Sequence, residues 1–501
     1  MVSIHTELRY SLVQPSTSMS QCDCNCDCHF ALSSMQGNTG ETPKNLLQEG
    51  VWQSRDSLFL RRVNSDYWIA QDLVPGGQPV LLRDRAMDIL RSLRNPRTLI
   101  DVEQTFSDLP PVMVENTMRR MADWMLLRPV NLRLHSTCAQ QSQILVAWLH
   151  VVSACNLVCS YCYLDKTAGL MSLSIGQRAI DAVFRSAQQN GYSAVKLKYA
   201  GGEPTLHLPR VLQLHNYAAI QAENQHLGLE EVILSNGTLL STKSIEHLRQ
   251  NGIRLMISLD GIGEFQDMQR RFAEDKGSFA IVARNIDLAL EHGLVPDISI
   301  TISNRNLDGL RDVVSYVLER HLSFSLNFYR ENDYSMAARD LNFSEQQIIE
   351  AMYQAYKAIE ENIPRWSLLG SLSDRASLIA PHNYTCGVGQ DYLVIGPHGG
   401  IAKCQMQMSH LVTDIHTEDP LQSLRADHSG IQNKNVDEKE GCRDCSWRYW
   451  CAGGCPLATF RETGRYDTKS PNCNIYKALF PEILKLEGLR LLKYCSEVSM
   501  E

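Results

Sequence analysis

The chain has 501 residues, a net charge of -8, 44% hydrophobic residues and 21% charged residues, the composition of a globular protein of about three domains with large buried cores. The acidic balance disfavours a nucleic-acid partner. No run approaches the roughly 18 uninterrupted apolar residues of a membrane span, and the polar opening MVSIHTELRYSLVQPSTS lacks an export pattern, which points to the cytoplasm.

From residue 1 to 49 there is no apolar periodicity, so the stretch reads as a flexible arm. It holds Cys22, Cys24, Cys26, Cys28 and His29, whose alternation could chelate a soft metal or be incidental. Residues 50–135 read as a small winged-helix module. Leu58 to Val63 and Tyr67 to Ala70 flank Asn64-Ser65 as a hairpin, while Asp84 to Leu93 and Pro111 to Met125 carry apolar residues at helical spacing. The arrangement resembles the PqqD-like leader-recognition domain fused to peptide-modifying enzymes. That likeness implies that a precursor's leader adds a strand to the hairpin edge, which needs only backbone pairing. A structural cap is the alternative.

Residues 143–340 alternate strand and helix, the signature of parallel βα units and an α/β fold. Six strands are expected: Ile144 to Val152, Ala194 to Ala200, Glu231 to Leu234, Ile253 to Leu259, Asp297 to Ile302 and Ser323 to Tyr329. Helices fill the intervals, such as Ser174 to Gln189 and Ser278 to His292, and stop near Gly191 and Gly293. Reacting groups in such folds gather where the strands' carboxyl ends deliver their loops.

The first strand delivers Cys155, Cys159 and Cys162. Their CxxxCxxC spacing, with Tyr161 before the third thiol, suits iron more than zinc. A 4Fe-4S cluster takes four thiolates, so three leave one iron open to a ligand that is not protein. The second strand delivers Gly201-Gly202-Glu203-Pro204, the third Ser235-Asn236-Gly237-Thr238, the fourth Ser258-Leu259-Asp260-Gly261. Paired glycines let backbone approach a ligand, and Glu203 offers a ligand ammonium a charge-assisted partner, as a zwitterionic amino acid would need. Each loop alone is ordinary turn chemistry; their order behind the cysteine loop carries the weight.

From Gln143 to Arg330 this pattern resembles the radical S-adenosylmethionine superfamily. The likeness implies a partial (β/α)6 barrel whose open iron is chelated by S-adenosylmethionine. It implies that Gly201, Gly202, Glu203 and Pro204 hold the methionine amino group. Ser258, Asp260 and Arg270 would lie near the carboxylate, sulfonium or ribose, and Asn236 would contact ribose or carboxylate, or hold its own loop. One-electron reduction would then yield a 5'-deoxyadenosyl radical, leaving aim and exclusion to the protein.

After a helical linker, 341–380, residues 381–480 hold Cys386, Gly399 and Cys404, then Cys442-x2-Cys445-x5-Cys451-x3-Cys455, then Cys473. This spacing resembles the SPASM extension, which implies two auxiliary 4Fe-4S clusters: an outer one on Cys442, Cys445, Cys451 and Cys473, and an inner one on Cys386, Cys404 and Cys455. Two zinc knuckles are the alternative, but seven cysteines do not complete two four-thiolate sites. Tyr392, Gln390 and His398 stand near the inner set, whose missing ligand is either protein or a substrate side chain. Cys138 and Cys495 fall outside the pattern, and residues 481–501 read as a terminal helix and tail.

The resemblance leaves two enzyme readings. One branch oxidises a sulfatase Cys or Ser to formylglycine and places an aspartate directly after the inner-cluster cysteine. Here Gln405 follows Cys404, and an amide takes no proton at neutral pH. The first expectation is therefore a maturase that forms a thioether or carbon-carbon cross-link in a ribosomally made peptide, with a leader-bearing precursor and reduced flavodoxin or ferredoxin as partners. Asp391, His398 and Tyr329 are candidates for the group that takes the leaving proton. A winged-helix regulator with a metal but no turnover is the reading from another class, and the full set of barrel loops weighs against it.

Overall fold

The computed structural model describes residues 44–74, 77–130, 142–336 and 338–494. The thiols Cys22, Cys24, Cys26, Cys28, Cys138 and Cys495, with His29, lie outside the described residues.

The front module has two small sheets. Strand β1 (Val51–Ser54) pairs with two later short strands, while β2 (Leu58–Arg62), β3 (Tyr67–Asp72) and β4 (Val80–Arg83) form an antiparallel meander. The β2–β3 turn closes because the Asn64 side-chain oxygen accepts from the backbone N–H groups of Asp66 and Tyr67, both at 3.0 Å. Helices Asp84–Ser92, Leu99–Thr105 and Pro111–Asp123 complete the module, and the short sheet closes with β5 (Arg97–Thr98) and β6 (Leu127–Pro129) flanking β1. Trp52, Leu82, Met87, Leu90, Val114 and Met118 share a core here. Val63, Ile69, Leu73 and Leu81 instead belong to the core of the main body, so the module is not a detachable bead.

The main sheet begins with β7 (Ile144–Val152), every residue of which is buried, as expected of a parallel strand covered on both faces. Five parallel neighbours follow in order: β8 (Ala194–Gly201), β9 (Gly228–Ser235), β10 (Arg254–Ser258), β11 (Asp297–Ile302) and β12 (Phe324–Phe328). The six expected strands are all present. Leu145, Ala147, Leu149 and Val151 of β7 pack in the main hydrophobic core. Val146 and Trp148 alternate with them and join Ala200 in a second cluster on the barrel's inner face.

The intervening helices follow their end signals. Helix Leu173–Gln189 starts where Ser172 Oγ accepts from Ile175 N and ends just before Gly191, at φ 72°. Helix Phe279–Glu291 ends before Gly293, at φ 73°.

Three strands of this sheet were not expected. β13 (Tyr392–Ile395), from the cysteine-rich third, pairs in parallel with the free side of β7, with Tyr392 beside Val146 and Ile395 beside Leu149. Antiparallel β14 (Gly400–Ala402) and β15 (Leu411–Asp414) extend the sheet to nine strands. The C-terminal region thus continues the barrel wall. In the linker only Glu345–Glu361 is a long helix, and the 480/481 boundary falls inside the continuous helix Cys473–Tyr494.

That last helix ties the body together. Asp374 accepts from Phe328 N at 2.9 Å, from Tyr476 Oη at 2.9 Å and from Arg330, with both members of the Arg330–Asp374 ion pair buried. Breaking a buried pair strands a charge at a cost of about 3–5 kcal/mol. Asp374→Ala is therefore expected to lower unfolding free energy by about that much, read from the denaturant midpoint; a midpoint close to wild type would mean that solvent already screens the pair.

Candidate functional site

The expected loops meet at the carboxyl ends of β7 to β10. Directly after β7 the chain turns through Cys155, Cys159 and Cys162, all three half-buried and free of disulfides. This loop is pinned from outside: Val158 N donates to Arg271 O at 2.8 Å, Ser160 N to Gln269 O at 3.0 Å, and Lys166 Nζ to Leu157 O at 2.6 Å.

The glycine pair after β8 packs against the loop's root. Gly202 N donates to Val152 O at 2.7 Å and Glu203 N to Ala154 O at 2.9 Å. A Cβ on Gly201, which sits at φ 132°, would stand 2.0 Å from Val152 O, and one on Gly202 2.1 Å from Ala154 O. The close approach that these glycines permit is to the cysteine loop's own backbone. Pro204 then opens a short 3-10 turn, capped by Glu203.

Glu203 is fully buried. One carboxylate oxygen accepts from Thr205 N at 3.0 Å, Ser235 Oγ at 2.9 Å and Thr205 Oγ1; the other accepts from Asn236 N at 2.6 Å. Burial raises its pKa, opposed by these donors. The second oxygen, with one protein donor, has acceptor capacity left for an ammonium. Asn236 in turn donates through Nδ2 to Asn156 Oδ1 at 2.9 Å and to Cys155 Sγ at 3.8 Å, while its oxygen accepts from Thr238 N at 2.9 Å. It holds its own loop and touches the first thiol.

Glu203→Gln puts an N–H where a carboxylate oxygen now accepts. Weaker S-adenosylmethionine binding is expected, together with a loop penalty of about 1–3 kcal/mol, read by equilibrium binding and thermal melting. A lower melting point with unchanged cofactor affinity would leave Glu203 as a bracket between loops only.

The second group lies across the thiols. Ser258 is half-buried and ends β10. Asp260, fully buried, accepts from Thr301 N at 2.8 Å and from Tyr161 Oη, and Arg270 donates to the same Tyr161 oxygen. Arg270 stands 3.8 Å from Asp260. Burial pushes the Cys159 thiol up to about 11, with the Arg270 guanidinium pulling it back. Tyr161, flagged in the sequence only as an aromatic between thiols, thus links two candidate cofactor residues. Three thiols, a buried carboxylate with a lone pair to spare and an arginine beside the middle thiol fit a 4Fe-4S cluster with a zwitterionic amino-acid ligand.

In the last third the four outer thiols, Cys442, Cys445, Cys451 and Cys473, line one cavity with Trp447 and Phe480. Four thiols on one cavity match in number the four thiolate ligands of a 4Fe-4S cluster. The inner thiols, Cys386, Cys404 and Cys455, meet in the apolar cluster on the barrel's inner face, beside Val146, Trp148 and Tyr392. Asn433 Nδ2 donates to Cys386 O at 2.6 Å, and Arg330 adds its charge beside Cys455.

Inside the barrel the two regions adjoin. Tyr163 feels both Cys162 and Cys404, and burial pushes its phenol well up. Its ring meets that of His150 at 6.1 Å, and His150 stacks on Trp148 at 6.2 Å. His150 is 1% exposed, neither ring nitrogen has a protein hydrogen-bond partner, and burial holds its pKa down to about 3, so it is a neutral donor and acceptor in the lumen. Sequence reasoning missed it because a histidine inside an apolar run resembles core.

Gln405 Oε1 accepts from Tyr392 Oη at 2.8 Å and from Cys404 Sγ at 3.7 Å, so Tyr392 is engaged by Gln405. Asp391 precedes β13 and lies at the barrel end opposite the cysteine loop, since β13 and β7 are parallel. His398 is exposed in the β13–β14 turn, whereas Tyr329 follows β12 at the mouth and shares a hydrogen bond with Ser335 Oγ at 2.8 Å.

A parallel barrel with a three-thiol loop at its mouth defines the fold and site class of radical enzymes that cleave S-adenosylmethionine. Residues 149–317 match the model of the Radical SAM superfamily, a family that uses a 4Fe-4S cluster and S-adenosylmethionine. The cysteine-rich C-terminal region is consistent with a SPASM-type extension.

The chain is 28% identical to a cysteine-type anaerobic sulfatase-maturating enzyme of Clostridium novyi, over 36% of this chain and 46% of that protein. It is 25% identical to the antilisterial bacteriocin subtilosin biosynthesis protein AlbA of Bacillus subtilis, over 52% of this chain and 54% of that protein. The chain spans about half to three fifths of the length of such curated relatives. The solved structure of native anSMEcpe with bound AdoMet and Cp18Cys peptide superposes with a TM-score of 0.57 at 18% identity, covering 71% of this chain and 99% of that one; the fold is shared. Among the described residues no helix is long and apolar enough to cross a membrane.

Proposed function

We propose that the protein is a peptide maturase that removes two hydrogens from a ribosomally made precursor to join two of its side chains by a thioether or carbon-carbon bond. The observation that carries the reading is the lumen itself. Buried Tyr163 lies within the charge reach of both Cys162 of the three-thiol loop and Cys404, and the residue after Cys404 is an amide already engaged by Tyr392.

When bound, the cluster and S-adenosylmethionine would supply a primary carbon radical that takes one hydrogen atom from the peptide; the second hydrogen would leave as a proton to a base and an electron to an auxiliary centre. This chain's residues aim and exclude. Cys155, Cys159 and Cys162 would hold the metal; Glu203 and Asn236 on one side, and Ser258, Asp260 and Arg270 on the other, would hold S-adenosylmethionine. The neighbouring rings of Trp148, His150 and Tyr163 would help to present one peptide C–H and keep water out. Cys386, Cys404 and Cys455 would hold the inner auxiliary cluster, Cys442, Cys445, Cys451 and Cys473 the outer one.

The front module would take the leader. Among the described residues β2 pairs in its meander only with β3, and its other edge would take an added strand. The reaction would occur in the cytoplasm, with flavodoxin or ferredoxin as electron donor. The similarity to sulfatase-maturating enzymes favours formylglycine formation as the second reading, and Gln405 disfavours it, since that branch needs a carboxylate there.

The test uses a leader-bearing precursor from the gene's neighbourhood, the same core peptide without leader, and a sulfatase peptide. A product two hydrogens lighter that contains a new cross-link is expected, with KM rising sharply for the leaderless core. A formylglycine product on the sulfatase peptide would establish the second reading, and equal KM with and without leader would return the module to a structural role.

A further inference from the structure

Lys439 lies three residues before the first outer thiol and is 1% exposed, among the largest fully buried side chains of the protein. Its ammonium donates to Ala452 O at 2.8 Å, and among the described residues no carboxylate lies within ion-pair distance of it. A buried ammonium without a counter-charge is costly, by several kcal/mol. The groups within its electrostatic reach that would be negative as metal ligands are cysteines of both sets: Cys442 and Cys451 from the outer, Cys386 and Cys455 from the inner.

The backbone around Lys439 is built to admit it. The turn from Cys451 to Cys455 joins the outer set to the inner, and its three middle residues, Ala452, Gly453 and Gly454, all have positive φ, at 46°, 79° and 70°. A Cβ on Gly453 would stand 2.5 Å from Lys439 Cδ and 2.8 Å from Nζ. Thr385 Oγ1 donates to Ala452 O at 2.9 Å and Gly454 O at 2.8 Å, fixing the turn from its other side. A left-handed turn with a glycine where the lysine passes leaves room for the long side chain, whose ammonium then meets the Ala452 carbonyl.

We propose that the Lys439 ammonium is the shared counter-charge of the two auxiliary metal centres and holds both at a higher reduction potential. Each iron-sulfur centre gains one negative charge when it accepts an electron, so a fixed cation beside it favours the reduced form, and its removal lowers the potential. Lys439 touches neither substrate nor S-adenosylmethionine and is a positioning residue. The inference rests on the reading that the two cysteine sets carry clusters.

The test is an EPR-monitored redox titration of anaerobically reconstituted full-length protein, with iron counted per chain. Lys439→Met is expected to retain about twelve irons, four for each of three clusters. Both auxiliary midpoints should move to lower potential by at least a tenfold change in the reduced-to-oxidised ratio, about 59 mV for one electron. The centre on Cys155, Cys159 and Cys162 should not move, and Lys439→Arg should stay near wild type. If Lys439→Met loses iron, Lys439→Gln, which can still donate to Ala452 O, is titrated instead with the same expectation. Unmoved midpoints in a fully loaded variant, or movement of only one of the two, overturn the inference alone. A wild-type protein that saturates at about four irons overturns the auxiliary-cluster reading beneath it.

Discussion

Cys159→Ala is expected to abolish S-adenosylmethionine cleavage, whereas Cys445→Ala should leave cleavage measurable and stop peptide product. The two thiols belong to separate assemblies. Cys159 stands in the loop after β7, within the charge field of Arg270; Cys445 lines the cavity beneath the C-terminal helix with Cys442, Cys451 and Cys473. Two thiolates cannot hold at the mouth a cluster that already forgoes a fourth, so loss there should reach the detection limit. At the outer site the loss is of a way to handle electrons after hydrogen abstraction, which leaves the first step intact. Deoxyadenosine and peptide product, quantified side by side after dithionite reduction, separate the two roles. Equal loss of both in a folded Cys445→Ala protein would contradict the division.

A second large effect is expected of Gly202→Ala, although the change adds one methyl group and touches no thiol. The new Cβ would meet Ala154 O at 2.1 Å, with Ser153 O at 2.7 Å. Backbone cannot yield as a flexible side chain would, so the root of the cysteine loop must shift, and the Gly202–Val152 and Glu203–Ala154 hydrogen bonds go with it. Because β7 and β8 are locked by their ladder and a buried core, the shift is taken by residues 153–162. About four irons should be lost per chain, with near-wild-type circular dichroism and no S-adenosylmethionine cleavage. Full iron content would show that the loop tolerates displacement and that this glycine is not required.

These two cases show what the chain made legible. The six parallel strands could be read because each is an apolar run followed by a polar loop, and the ten clustered thiols because metal sites need fixed spacing. β13 could not be read. Four residues between two cysteine groups look like linker, and only the unpaired side of β7 makes them a strand. The module at the front looked separable, yet Val63, Ile69, Leu73 and Leu81 share the main core, and Trp450 Nε1 donates to Leu73 O at 3.1 Å. Side-chain periodicity reports that a face is buried and is silent on what buries it.

The site shows the same division. Glu203, Asn236 and Asp260 stood out through loop position and Arg270 through the resemblance, whereas the close approach of the glycines to the cysteine loop's backbone was not legible. Tyr161, His150 and Lys439 carry no motif. Each matters through groups that the fold brings to it: Asp260 for Tyr161, Tyr163 and the Cys404 side of the lumen for His150, and Cys386 and Cys455 beside the nearby outer thiols for Lys439.

The decisive experiment is to purify the full chain without oxygen, reconstitute it with iron and sulfide, reduce it with dithionite in the presence of S-adenosylmethionine, and quantify 5'-deoxyadenosine and methionine. A brown protein that releases the two in equal amounts, and ceases to do so when Cys155, Cys159 and Cys162 are changed to Ala together, is the expected result. A colourless protein that holds zinc or no metal and returns S-adenosylmethionine intact would contradict the assignment of the three-thiol loop.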